Sequence, residues 1–422
     1  MPVVLVGTFD TKGTEFQFVR DVLHGLGLAT LAVDAGVNPP VGIQPEISRE
    51  LVFAAADTQF DTILARHDRG EAVEAAARGA AQVISELYHA GKLEGVLGLG
   101  GSAGTTIGTA AMRALPFGVP KLMVSTLASG QVRQFVGVRD ILMLHSVVDI
   151  SGLNRISRIV LENAARAIAG MVRFQDSTSR VGQSAVGAES SACAEHPLIA
   201  ATMFGVTTPC VDAARRQLEG TGAEVLVFHA TGTGGMTMES FIADGLIHGV
   251  LDLTTTELAD ELVGGILSAG PERLTAAGRR GIPQVISVGA VDMVNFGPRD
   301  TVPAKFADRL FYQHNANVTL MRTTPAENLE IGREIARKAN AATGPTVVLL
   351  PLRGVSAIDA EGGPFWWPAA DEALFAGIRE TLNPRVRLLE LDRHINDPEI
   401  ATAAATTLRG LIADVSAAGS KS

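Results

Sequence analysis

The stretch that most restricts this chain is Glu94 to Thr106, Glu-Gly-Val-Leu-Gly-Leu-Gly-Gly-Ser-Ala-Gly-Thr-Thr. Gly95 to Leu99 is apolar over a length that suits a strand buried on both faces. Gly100, Gly101 and Gly104 then carry the backbone through a tight turn into a helix expected from about Ala103 to Arg113. Strand, glycine turn and helix in that order belong to a parallel α/β unit. The turn leaves several backbone N–H groups aimed at one spot, on the positive end of a helix dipole. A phosphate or carboxylate suits that spot, and Ser102, Thr105 and Thr106 add hydroxyl donors. The spacing Gly98-x-Gly100-x-x-Ala103 loosely fits a dinucleotide fingerprint, but it follows an interior strand and has no P-loop lysine. A tight turn merely packed on a helix is the competing reading.

The residues around this turn repeat its grammar. Val3 to Gly7 is a continuous apolar run, expected as a buried first strand. Thr8-Phe9-Asp10-Thr11-Lys12-Gly13 follows, then a helix to about Leu26 in which Thr14 and Gln17 could form a capping box. Open α/β sheets place ligands at the carboxyl ends of their strands. Lys12 is therefore a candidate for a phosphate and Asp10 for Mg²⁺, with helix capping by Asp10 as the alternative. Leu28 to Val33 is a second strand ending on Asp34-Ala35-Gly36, where Asp34 either bonds ribose hydroxyls or shapes a turn. Asn38 to Pro45 reads as an irregular loop, and Glu71 to His89 as an Ala-rich helix. Lys121 to Ser125 is a strand whose end brings Ser125 and Thr126 beside the glycine turn. Ile141 to Leu144 adds another strand, and the apolar stripe from Arg155 to Met171 a helix that closes the domain.

A stretch rich in Ser, Ala, Gly and Thr reads as a linker over 176–196, between domains at 1–175 and 197–422. Strands are then expected over Pro197–Phe204, Glu224–Phe228, Leu251–Leu253, Pro283–Val288, Asn317–Leu320, Thr346–Pro351 and Val386–Leu391. Helices are expected over Thr207–Gly220, Met236–Gly245, Pro325–Ala339 and from Pro398 onward. His229-Ala-Thr231-Gly232-Thr233-Gly234-Gly235 is a second glycine loop. Glu257, Asp292, His314, Arg353 and His394 all fall just after expected strands, where a loop charge or a cap is the plain alternative for each. Together they suggest an anionic-substrate site in which Thr231 to Gly235, Glu257, Arg353 and His394 converge, with His229 and Asp292 nearby. The fold class is α/β, two Rossmann-like doubly wound domains with mainly parallel sheets.

Bulk properties exclude several partners. At 422 residues the chain exceeds one ordinary core. A formal charge of -10 argues against nucleic acid or an anionic membrane. Cys193 and Cys210 match no metal spacing, and such scarcity suits a reducing cytoplasm. Met1-Pro2 leads directly into a strand, so no signal peptide is expected, and no apolar run nears the ~20 residues of a membrane span. No Ser-His-Asp order, HExxH or CxxC marks a familiar hydrolase or metal site.

Six motifs form one pattern: Gly-Thr-Phe-Asp-Thr-Lys (7–12), Gly-Leu-Gly-Gly-Ser-Ala-Gly-Thr (98–105), Ser-Val-Val-Asp-Ile-Ser-Gly-Leu-Asn (146–154), Phe-His-Ala-Thr-Gly-Thr-Gly-Gly (228–235), Leu-Asp-Leu-Thr-Thr-Thr-Glu-Leu (251–258) and His-Ile-Asn-Asp-Pro (394–398). Over essentially the whole chain it resembles an uncharacterised bacterial and fungal family shared with the N-terminal region of the tomato mosaic virus resistance protein. The resemblance implies two Rossmann-like domains, an ATP site with Mg²⁺ in the first, and a homodimer. The family's loop usually reads Gly-Gly-Ser-Gly-Gly, whereas Ala103 stands here, which is tolerated only if its φ is negative. The leading expectation is an ATP-dependent enzyme acting by phosphoryl or adenylyl transfer on a small anionic metabolite, in a cleft between the domains. A nucleotide-sensing module without turnover is one alternative. The other is a lyase or hydrolase using Glu257 and the histidines as acid and base.

Overall fold

The computed structural model describes residues 1–173 and 196–419, in two compact units that divide between Gln183 and Ser184. The linker expected over 176–196, with Cys193, lies outside the described residues except for His196.

The N-terminal unit runs β1 (Val3–Gly7), α1 (Phe9–Gly25), β2 (Thr30–Asp34), α2 (Arg49–Ala55), α3 (Phe60–Arg66), α4 (Arg69–His89), β3 (Gly95–Gly100), α5 (Ser102–Arg113), β4 (Lys121–Ser125), α6 (Arg133–Val136), β5 (Leu142–His145) and α7 (Arg155–Arg173). Its five strands are all parallel, in the order β2-β1-β3-β4-β5. β1, β3 and β4 are buried along their whole length, which is why β1 and β3 are unbroken apolar runs and β4 is apolar from Leu122 to Val124, between buried Lys121 and Ser125. One face packs Val4, Val6 and Val96 against α4 and α5, and the other packs Leu5, Leu97 and Leu122 against α1 and α7. α1 begins at Phe9 with Thr8 as its cap, so Thr14 and Gln17 lie inside the helix and form no capping box.

The C-terminal unit runs β6 (Leu198–Met203), α8 (Thr208–Glu219), β7 (Glu224–His229), α9 (Thr233–Ala243), β8 (Gly249–Thr254), α10 (Thr256–Val263), α11 (Ala276–Arg280), β9 (Gln284–Gly289), β10 (Met293–Phe296), β11 (Phe311–Asn315), β12 (Val318–Arg322), α12 (Pro325–Ala341), β13 (Thr346–Pro351), α13 (Pro368–Thr381), β14 (Arg387–Leu391) and α14 (Pro398–Gly419). Its main sheet is parallel, ordered β14-β13-β9-β8-β6-β7. The strand expected near Asn317 to Leu320 belongs instead to a separate antiparallel sheet, β10-β12-β11. Both units are thus α/β with doubly wound parallel sheets, and the second carries a small antiparallel addition. Among the described residues, no helix is long and apolar enough to cross a membrane.

Candidate functional site

In a sheet ordered β2-β1-β3-β4-β5 the connections diverge between β1 and β3, and ligands bind in the crevice outside the carboxyl ends of those two strands. A cavity of about 580 Å³ opens there, lined by Thr8, Asp10 and Thr11 after β1, Asn38 after β2, and Ala103 after β3. Its far wall is apolar, with Ile63 from α3, Ala72, Val73 and Ala76 from α4 and Ile107 from α5. Such a volume, mainly apolar with a polar end, suits an aromatic base with a polar tail.

Asp10 lines the polar end, and buried Asp34 lies beside it across Gly36. Asp10 Oδ2 accepts from the N–H groups of Val37 (3.3 Å) and Asn38 (3.0 Å), and from Asn38 Nδ2. Asp34 Oδ1 accepts from the N–H groups of Phe9 (3.1 Å) and Gly36 (2.9 Å). The other oxygen of each, Asp10 Oδ1 and Asp34 Oδ2, is buried without a partner, as is Nη1 of Arg49 at the start of α2. A Cβ on Gly36 would stand 2.9 Å from Asp10 Oδ1 and 3.1 Å from Asp34 Oδ1, so the residue between the two acids has to be this small. Burial, assisted by the negative charge of Asp10, raises the pKa of Asp34, against the pull of its amide donors and Arg49. Unpartnered buried oxygens on two neighbouring acids are what a missing cation or donor would leave. Among the described residues no three His, Cys, Asp or Glu side chains are arranged to hold a metal, so two carboxylates would need oxygens from a ligand to complete a shell.

The glycine turn divides its residues between packing and binding. A Cβ on Gly100 would meet Gly104 Cα at 2.6 Å, so these two glycines let the end of β3 approach α5. The Thr105 and Ser125 hydroxyls bond each other at 2.6 Å in the buried interior, which takes both away from any ligand. Thr126 N–H donates to the Gly100 carbonyl. Gly101 caps α5 with no side-chain bond, leaving the first-turn amides of Ser102, Ala103 and Gly104 for an outside acceptor. Ala103 lies within α5 at helical φ, so its methyl group is accommodated. Ser102 is exposed, and Lys12, half-buried in α1, forms no ion pair among the described residues.

The second glycine loop is a different object. Glu257 Oε1 accepts from the N–H groups of Gly232 (2.7 Å) and Gly235 (3.0 Å), filling the hole expected for an anionic ligand. Its Oε2 accepts from Nε of Arg273 at 2.6 Å, and Arg273 also holds Asp252 through two nitrogens at 2.5 and 2.7 Å. Arg273, Asp252 and Glu257 are all 0% exposed. Burial raises the pKa of Glu257, while Arg273 and the two amides oppose it. Burial likewise works against the charge of Arg273, but Asp252 and Glu257 outweigh it and hold that pKa well above its ordinary value. Among the described residues Thr231 bonds only the His229 carbonyl, and the exposed His229 ring leans on Phe204.

Arg353 and His394 lie elsewhere. β7 and β13 are four strand spacings apart, about 19 Å, so Arg353 does not reach the Thr231 loop. It is exposed and forms a bidentate pair with Asp392 at 2.6 and 2.7 Å. His394 Nε2 bonds the Ser356 carbonyl at 2.8 Å, and Ser356 Oγ donates to Asp292 Oδ2 at 2.8 Å. The expected convergence therefore divides into Glu257 with the loop, and His394 with Asp292 through Ser356. Sequence reasoning missed Arg273, Arg322, Asp359 and Asp371, which form the buried ionic centres of this unit.

Two family models match the chain, an uncharacterised protein family (UPF0261) N-terminal domain over residues 1–177 and its C-terminal domain over 196–412. The chain belongs to this family. A UPF0261 protein of Clostridium tetani is 49% identical over 96% of this chain and 98% of its own length. One from Rhizobium meliloti is 46% identical over 97% and 98%. The ToMV resistance protein Tm-1(GCR237) of Solanum lycopersicum is 44% identical over 95% of this chain, which spans 54% of that longer protein. The motif pattern read from the sequence is therefore that of the UPF0261 family, in both halves.

Proposed function

We propose that the N-terminal unit of this UPF0261 protein binds a nucleotide, ATP with Mg²⁺, in the crevice between β1 and β3. The observation that carries this reading is a mainly apolar cavity of about 580 Å³ lined by Asp10, which has a buried unpartnered oxygen, with a second such oxygen on Asp34 behind it. The base would pack on Ile63, Ala72, Val73, Ala76 and Ile107, and the phosphates would take the free amides of Ser102 to Gly104. Asp10 and Asp34 would hold Mg²⁺ together with phosphate oxygens, an arrangement usual for this ion, which neutralises charge between phosphates and carboxylates. Lys12 would supply a cation to the phosphate tail. The occupied loop at Glu257 lends no support to an anionic substrate there, so the proposal is nucleotide binding and not transfer.

Titration calorimetry of ATP with Mg²⁺ tests it on the whole chain. Asp10→Asn, Lys12→Ala and Ser102→Ala should each weaken binding by about 1–3 kcal/mol, the cost of losing a polar or charge-assisted contact. No binding to the wild type, or unchanged affinity in all three variants, would reject the site.

A further inference from the structure

The cavity outside β1 and β3 carries basic side chains that the nucleotide reading leaves unused. Ala72, Val73 and Ala76, the α4 part of its apolar wall, are preceded on the same helix by Arg69. These four fall at i, i+3, i+4 and i+7, which is one face of a helix, and all four line the cavity. The wall that would carry the base therefore ends in a guanidinium. His67, between α3 and the capping Asp68, lines the same edge and turns the chain into α4 at φ 52°.

Arg69 is the only lysine or arginine among the lining residues. It is exposed, and among the described residues neither it nor His67 forms a hydrogen bond or an ion pair. The acids nearby are already committed. Asp68 Oδ1 caps α4 by accepting from the Glu71 N–H at 3.0 Å, and the Glu71 carboxylate pairs with Arg66. One turn further on, Arg78 pairs with Glu74 at 3.2 Å. A chain with 45 acidic and 35 basic residues has partners to spare, yet Arg69 has none. Its position is unfavourable in itself. Arg69 opens a helix of 21 residues, at the end where the dipole is positive and a cation is repelled. A cation set against the dipole, unpaired and lining a cavity, is short of an anion that a ligand can bring.

Where Arg69 stands identifies that anion. In the nucleotide reading the phosphate tail lies at the strand ends, against Asp10 and the amides of Ser102 to Gly104. Arg69 belongs instead to the α4 wall, where the base and ribose would lie. We propose that the α3–α4 junction is a second anion subsite of this cavity, in which Arg69, flanked by His67, holds a phosphate on the ribose of the ligand. Resting on the nucleotide reading, this subsite narrows the ligand to an adenine nucleotide phosphorylated at the 2′ or 3′ hydroxyl as well as at the 5′ position. The guanidinium offers a planar fork that fits two phosphate oxygens, and the imidazole adds an N–H donor. The subsite is selective, because an unmodified ribose hydroxyl gives the guanidinium no charge to pair with.

Titration calorimetry of the whole chain with AMP, ATP, adenosine 2′,5′-bisphosphate and adenosine 3′,5′-bisphosphate, each with Mg²⁺, tests the subsite. One of the two bisphosphates should bind the wild type about 10- to 100-fold more tightly than AMP, the yield of one charge-assisted contact. Which of them does so assigns the phosphorylated hydroxyl. In Arg69→Gln that preference should vanish, whereas ATP should lose far less, since its tail lies against Asp10 and α5. The variant should fold, because a neutral helix former suits the first turn better than a cation, and its melting temperature should not fall below that of the wild type. Bisphosphates no tighter than AMP, or a preference that persists in Arg69→Gln, would overturn the subsite. So would an equal loss for all four ligands, which puts Arg69 on the base, or a loss confined to ATP, which puts the tail there. In each of these cases AMP or ATP still binds the wild type, and the nucleotide reading stands. No binding of any of the four to the wild type rejects that reading and the subsite together.

Discussion

Arg273→Met should unmake the centre of the C-terminal unit. Methionine keeps the length and apolar stem of arginine but removes the guanidinium that spans Asp252, Glu257 and Glu239. Two of those carboxylates, Asp252 and Glu257, are fully buried and would be left without their counter-ion. Removing one partner of a buried ion pair costs about 3–5 kcal/mol. Glu257 loses only one of its three bonds, since the Gly232 and Gly235 amides remain. Taking ~4 kcal/mol, the melting temperature of a unit of this size should fall by about 8–16 °C. Hydrogen exchange in β6 and β8 reads the loss in this unit alone. The sign of the pH dependence provides a second check. Without Arg273 the folded pKa of Glu257, already raised by burial, rises further above its unfolded value. A raised carboxyl pKa gives stability that is present below the unfolded value and lost as pH rises through the folded one. The variant should therefore lie closer to wild type at pH 5 than at pH 8. Adding Asp252→Asn and Glu257→Gln to Arg273→Met should recover most of the loss, because buried ionic groups replaced together by neutral ones are often tolerated. A cost below about 1 kcal/mol at pH 8, or a cost independent of pH, would refute this account of the centre.

Three further outcomes follow from the same geometry. Gly235→Ala would place a Cβ 2.1 Å from Glu257 Oε2, so it should expel that carboxylate and lower the melting temperature of the C-terminal unit, while Gly91→Ala, which meets nothing, should act only through its positive φ of 66°. Burial raises the pKa of Asp260 from 3.8 to about 7, so its contribution to stability should fall through that window as pH rises, by about 1.4 kcal/mol per unit, and Asp260→Asn should flatten a denaturant series run between pH 5 and pH 8. Thr105→Val, which breaks the buried bond to Ser125, should cost about 1 kcal/mol of stability in a melt yet leave ATP affinity by calorimetry unchanged, because that hydroxyl faces no ligand.

The sheets were legible because a parallel strand covered on both faces must be an unbroken apolar run. β1, β3 and, after Thr346, β13 show it, and β4 shows it from Leu122 to Val124. α13 was not legible, since its N-terminus follows Trp366-Trp367-Pro368, and its buried face mixes Asp371 with Leu374 and Ile378. The N-terminal crevice could be read in outline, because Asp10, Asp34 and the Gly100 turn all end strands of one sheet. The roles of Thr105 and Ser125 could not, since hydroxyls beside a glycine turn look the same whether they face a ligand or each other. Arg273 and Arg322 gave no sign in the sequence either. An arginine near a loop ordinarily stays in water, and only the arrival of carboxylates from distant strands makes it a core residue.

The two glycine turns show how sheet position, and not motif, decides whether an anion hole remains open. The turn after β3 borders the crevice where connections diverge, and Gly101 puts no side chain over the first-turn amides of α5. In the C-terminal sheet the corresponding divergence lies between β6 and β8, and the second glycine loop follows β7, at the sheet edge beyond β6. At the ends of these two strands the Thr207 and Thr254 hydroxyls are bonded at 2.8 Å and Asp252 holds Arg273. Glu257, at the second position of α10 after β8, is then placed to reach back to the loop and fill it. A carboxylate tethered within the chain pays no association cost, so an external anion would have to displace it and leave Arg273 partly uncompensated. The same strand-turn-helix grammar thus borders an open cavity in one unit and an ionic core in the other.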